Sequence, residues 1–187
     1  MTSSAGANST AADSVRSPHA LASLTADPGA DRARAEVAVG ELLAALGQDP
    51  DGEHLIDTPR RVVDGLIELL TPEPFALTTF ANDGGYSELV LVRDIPFTSL
   101  CEHHMLPFRG IAHVGYVPSE RIVGLSKLAR VVDWFARGLQ VQERLTAQIA
   151  DHLERHLDPL GVGVALEAEH MCMSIRGVRA GGATTVT

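Results

Sequence analysis

The chain has no apolar run approaching the ~18 residues that a membrane-spanning helix needs. Its opening stretch, "MTSSAGANSTAADSVRSPHA", lacks both the basic start and the continuous apolar centre of a secretory signal, so a cytoplasmic protein with no membrane partner is expected. Positive charge is in short supply: 15 Lys and Arg stand against 24 Asp and Glu, for a formal net charge of −9. That disfavours a general nucleic-acid binder, whose phosphate contacts need a basic surface, but leaves room for a small anion met by a local group of cations. Cysteine is scarce, with Cys101 and Cys172 the only two. In a reducing compartment these are expected as metal ligands or buried thiols, not as a structural disulfide. No internal repeat is visible, and 187 residues with 45% apolar content suffice for one core-bearing domain.

Along the chain, residues 1–28 are rich in Ser, Ala, Thr, Asp and Pro without a hydrophobic period, and a flexible tail is expected there. Residues 29–72 read as an N-terminal helical segment. Its first part places Val39, Leu42, Leu43 and Leu46 at helical spacing before Gly47, the pattern of an amphipathic helix. Its second part offers Thr58 as N-cap, Pro59 at the first helical position, and Val62, Val63, Leu66 and Leu70 on one face before Pro72. Over residues 73–187, a Gly-Gly loop at 82–85 precedes "SELVLVRDIPFTSL" and "GIAHVGYVPS", two strands flanking "CEHH". Leu128, Val131, Val132 and Phe135 mark a helix stopping at Gly138, and Leu145, Ile149 and Leu153 mark another. "GVGVALEAEHMCMSIRGV" reads as a pair of strands or one long bent strand. This order predicts an α+β fold, with helices on one face of a mainly antiparallel sheet.

Chemistry concentrates at "CEHH", residues 101–104, and at "HMCMSIR", residues 170–176. Cys101 and His104 stand three apart, close enough to reach one ion from a turn. If the second segment is a strand, period-two geometry puts His170, Cys172, Ser174 and Arg176 on one face. The simplest assembly is Zn²⁺ held by Cys101, His104 and Cys172, three ligands with one tetrahedral position left for an activated water. Spacing alone leaves open which imidazole reaches the metal. His103 and His170 are then free to donate or accept protons. Taken singly, each residue is ordinary: an isolated cysteine is usually packing and an isolated histidine usually surface. The coincidence of two such clusters is what indicates a site, and His19, His54, His113, His152 and His156 have no comparable company. Ser126, Lys127 and Arg130, at the start of a helix, suit a phosphate group or a solvated basic face. Gln142 and Glu143 open the next helix, where a carboxylate serves as a dipole partner or as an acceptor for a guanine edge.

With "DTPRR", "CEHH", "GLSKLAR", "QVQERLT" and "HMCMSIRGV" in this order, the chain from about Asp57 to Thr187 resembles the GTP cyclohydrolase I family. The resemblance implies zinc ligands Cys101, His104 and Cys172, with proton-transfer histidines His103 and His170. It places Gln142 and Glu143 in the guanine-recognition segment, Ser126, Lys127, Arg130 and Arg176 near the triphosphate, and Arg61 at a phosphate-binding end. It further implies a tunnelling fold assembling into a ring, usually a homodecamer, and hydrolysis of GTP to formate and 7,8-dihydroneopterin triphosphate for tetrahydrofolate or pterin synthesis. The catalytic domain at 73–187 is expected to be short at its C-terminus relative to that family. Two variants of the reading keep the resemblance: a shortened non-catalytic ring subunit, and a cyclohydrolase serving deazapurine products. A nucleoside deaminase is disfavoured, since the C-x-x-C of its zinc site is missing.

Overall fold

The computed structural model describes residues 31–187, so the tail expected over residues 1–28 lies outside the described residues. Helix α1, Arg32–Ala45, ends as its sequence predicts. Gly47 turns left-handed at φ +78°, its N–H donates to Ala44 O at 3.0 Å, and Gln48 N–H donates to Leu43 O at 2.9 Å. The expected amphipathic burial is not found: among the described residues no α1 side chain is buried, and Leu42 and Leu46 are 56% and 68% exposed. A helix whose main neighbour is a single second helix covers only a narrow stripe. That second helix is α2, Thr58–Leu70, joined to α1 by the Arg32–Asp64 ion pair. Its N-cap is Asp57, one residue before the expected Thr58, because Leu55 and Ile56 already turn back onto Gly52 O and hand the chain over early. Val63 is the buried anchor of α2, while Val62 faces solvent.

The main sheet has the order β5-β2-β3-β6-β7. Strand β2 is Val90–Cys101, β3 Pro107–Val117, β5 Leu139–Gln140, β6 Gly161–His170 and β7 Thr185–Val186; only the short β2–β5 pairing is parallel. A separate two-stranded ribbon pairs β1, Thr79–Ala81, with β4, Arg121–Val123. Helices α3, Leu125–Ala136, and α4, Gln142–Leu157, cover the sheet and contribute Leu128, Val131, Val132, Leu145, Ile149 and Leu153 to the core. The expected α+β class and antiparallel sheet are thus present. Among the described residues no helix is long and apolar enough to cross a membrane.

A bulge decides which way Cys101 points. Val90 and Val92 face the core at even positions, whereas Ile95, Phe97, Ser99 and Cys101 face it at odd ones. The register shift between Val92 and Ile95 inserts the extra residue that changes the phase. Asp94 adopts φ +59° there, and its N–H donates to His113 Nδ1 at 3.2 Å.

The segment "EHMCMSIRG" corrects an expectation. Strand β6 stops at His170, opposite Phe108, and Met171–Ser174 form a short helix α5 instead of continuing a strand. The reason lies in the partner: β3 begins at Pro107, which has no N–H to offer, so β6 runs out of ladder one residue past Phe108. His170, Cys172, Ser174 and Arg176 therefore do not share a strand face.

Candidate metal and catalytic site

Two chain reversals bring the distant halves together. At the β2–β3 hairpin, Cys101 O accepts the N–H groups of His104 at 3.2 Å and Met105 at 2.8 Å, which winds residues 101–105 into a single helical turn. Cys101 and His104 then lie on one side of it, with Sγ to Nδ1 at 3.8 Å. From the other side, α5 delivers Cys172 one residue into its turn. The ligand atoms of Cys101, His104 and Cys172 all lie within 4.8 Å of one another. His103 Nδ1 is also 3.8 Å from Cys101 Sγ, but it does not join the group that includes Cys172.

These side chains open on a cavity of about 240 Å³ that is also lined by His103, Glu143 and His170. Burial pushes the Cys172 thiol up, and the neighbouring Cys101 adds to the rise, while the Arg176 guanidinium opposes it. The His170 imidazole is pushed down by burial, partly offset by Glu143. Its ring stacks on Phe108 with centroids 4.6 Å apart and planes within 1°.

Gln142 sets the His170 tautomer. The carboxamide is buried, and its Nε2 donates to Leu166 O at 3.1 Å, Thr185 O at 2.9 Å and Thr187 Oγ1 at 3.2 Å. That fixes Oε1 toward His170, whose Nε2–H donates to it at 2.8 Å. Nδ1 is left as the nitrogen free to exchange a proton. Gln142 thus spends its carboxamide on partners inside the chain while still lining the cavity, and its neighbour Glu143 is exposed there.

The expected phosphate residues lie elsewhere. Ser126, Lys127 and Arg130 occupy the first turns of α3, directly after β4, where Val123 N–H donates to Tyr116 Oη at 2.9 Å. Tyr116 pairs with Val90 and Val162, the far end of the sheet from Phe108 and His170. The rise of about 3.3 Å per residue from Phe108 to Tyr116 puts these ends roughly 26 Å apart. Arg61 is exposed on α2 and paired to Asp57 at 3.1 Å. Of the expected cations, Arg176 alone is near the cluster, close enough to act on Cys172. Sequence reasoning missed Arg144, Gln140 and the terminal threonines as supports, because nothing in their local spacing distinguishes them from surface polar residues.

The family model described as GTP cyclohydrolase I matches residues 35–187. A protein named GTP cyclohydrolase 1 from Mycolicibacterium gilvum is 54% identical over 178 residues, covering 92% of this chain and 88% of that protein. Proteins of the same name from Brucella anthropi and Allorhizobium ampelinum are each 55% identical over 161 residues, covering 83% of this chain and 76% and 80% of theirs.

Proposed function

The chain belongs to the GTP cyclohydrolase I family and has that family's enzymatic activity, and from this premise we propose how its own residues divide the work. The reaction converts GTP and water to formate and 7,8-dihydroneopterin triphosphate. The observation that carries the assignment of the site is the convergence of Cys101, His104 and Cys172 from the two ends of the catalytic domain.

Zinc fits these donors: two thiolates and an imidazole are its preferred ligands, and a tetrahedral ion with ~2.3 Å Zn–S and ~2.0 Å Zn–N bonds needs donors roughly 3.5–3.8 Å apart. The 3.8 Å Sγ–Nδ1 separation of Cys101 and His104 is a little wider than the ~3.5 Å of such a sulfur–nitrogen pair, and all three donor atoms lie within 4.8 Å of one another. When bound, the metal supplies a Lewis acid that activates water for attack on the guanine ring. Glu143, exposed at the first turn of α4, accepts the paired N–H groups of the guanine edge and turns the five-membered ring toward the cluster. His170 exchanges a proton through Nδ1, since Nε2–H is committed to Gln142. Burial favours its neutral form, so it enters the cycle as a proton acceptor and returns the proton to the opening ring. His103, exposed on the cavity wall, is the second proton carrier.

The site is completed by a neighbouring copy in a ring, a homodecamer by family resemblance. Two observations support this. Ser126, Lys127 and Arg130 lie at the opposite end of the sheet from the metal ligands, so one nucleotide meets both only if two chains contribute. Among the described residues, β2 is paired on its outer edge only at Leu100 and Cys101, and β6 only from Leu166 to Ala168, leaving long edges that demand a partner. The two free thiols suit a reducing cytoplasm. Formate and dihydroneopterin triphosphate production from GTP tests the activity. Arg176→Ala tests the phosphate side: it should raise KM for GTP while hardly changing the binding of guanosine, and equal effects on both would remove Arg176 from that role.

A further inference from the structure

Glu102 stands between a proposed zinc ligand and a proposed proton carrier, yet it does not line the cavity. Its side chain turns the other way, to α4. Arg144 Nη2 donates to Glu102 Oε2 at 2.5 Å and to Leu139 O at 2.9 Å, and Arg144 Nε donates to Gln140 Oε1 at 2.9 Å. Gln140 is buried, and its Nε2 donates to Phe135 O at 2.9 Å and Gln148 Oε1 at 2.8 Å. The Glu102 backbone is fastened to the same segment, its N–H donating to Gln140 O at 3.0 Å.

We propose that Glu102 and Arg144 are positioning residues that clamp the metal-ligand turn to the first turn of α4. The inference rests on the proposed roles of Cys101, His104 and Glu143. Arg144 follows Glu143 directly, so one guanidinium ties the turn carrying Cys101, His103 and His104 to the helix start that holds the base. The clamp thereby fixes the distance between the metal and the carbon it must act on. An exposed ion pair alone would do little of this. Here the planar guanidinium serves three acceptors at once, one of them on a buried glutamine, which restricts it to a single orientation. The turn also needs an outside tether, since Met105 sits at φ +54° and His103 and His104 are exposed.

Outer supports of metal ligands typically contribute about 10–100-fold in metal affinity or activity, and a clamp acting through the backbone belongs at the lower end. Glu102→Gln, Arg144→Met and the double variant should be compared by chelator competition for zinc and by kinetics at saturating zinc. Each single change is expected to weaken zinc binding about tenfold and lower kcat about tenfold, with KM for GTP within about threefold. The double variant should be no worse than Arg144→Met alone, because Glu102 acts only through Arg144 and its loss adds nothing once the guanidinium is gone. Arg144→Lys should recover only part of the loss, since one ammonium cannot serve three acceptors in a plane. Glu102→Gln is isosteric and half-exposed, so it remains informative if Arg144→Met folds poorly. Unchanged zinc affinity and kcat in Glu102→Gln, or single effects that multiply in the double, would overturn the clamp. So would a raised KM with unchanged kcat. Cys172→Ala separates this from failure of the site reading: if that variant keeps zinc, the ligand assignment has failed, whereas if it loses zinc while Glu102→Gln is unaffected, only the clamp falls.

Discussion

Gln142→Ala separates support of the catalytic histidine from recognition of the base. The side chain is 1% exposed and bridges α4, β6, β7 and His170. After truncation, Leu166 O keeps the Thr187 N–H at 3.0 Å and Thr187 Oγ1 keeps Thr146 Oγ1 at 2.6 Å, but His170 Nε2–H loses its partner among the described residues. An orphaned donor costs about 1–3 kcal/mol, and the void left by the carboxamide brings the expected destabilisation to roughly 2–4 kcal/mol. An imidazole free to rotate or change tautomer should lose most of its contribution to proton transfer, so kcat should fall about 10²-fold, the lower end for general acid–base groups. KM for GTP should change little. Gln142→Glu keeps the acceptor for His170 but sets a carboxylate oxygen against two carbonyls, so it should match alanine in lost stability while retaining more turnover. Urea unfolding and steady-state formate release provide both readings. A large rise in KM with unchanged kcat and unfolding midpoint would refute the reasoning, because it would mean that the carboxamide contacts guanine.

Burial pushes the His152 imidazole down to about 4, with His156 and Arg155 acting in the same direction, and its Nε2 has no partner among the described residues. The unfolded chain takes up this proton near the ordinary value, so stability should fall as pH drops from about 6.5 toward 4, by ~1–2 kcal/mol after allowance for the partly exposed ring. Urea midpoints at pH 7 and pH 5 check this, and an undiminished difference in His152→Leu would remove His152 as the source. Gly110 lies under β6, where an added Cβ would overlap Glu167 O and meet Ala168 Cα at 2.6 Å. Gly110→Ala should therefore cost at least ~2–3 kcal/mol, because backbone atoms cannot step aside as a side chain can. Wild-type-like melting of that variant would show that the β3–β6 pairing is looser than described.

Much of this fold was legible because its cues are local. Helical spacing located α3 and α4, and left-handed Gly47 marked the end of α1. The CEHH turn was framed by two strands whose β-branched runs stop at it. What escaped depended on partners distant in sequence. Nothing local in "HMCMSIR" says that β3 has ended opposite it, so its helical turn looked like strand. Leu42 and Leu46 have the pattern of buried residues, but burial needs a neighbour that no helical period can supply. The zinc donors were readable as chemical types. The supports were not: nothing local told that Gln142 would hold His170, or that Glu102 and Arg144 would pair across 42 positions of sequence.

The central claim is that Cys101, His104 and Cys172 hold the metal on which turnover depends. Zinc content and formate release measured together in Cys172→Ala test it most directly. Two remaining donors are too few for a catalytic ion, so zinc and formate release should both disappear while the helical signal persists. One tightly bound zinc per chain, with formate still released from GTP, would contradict the claim.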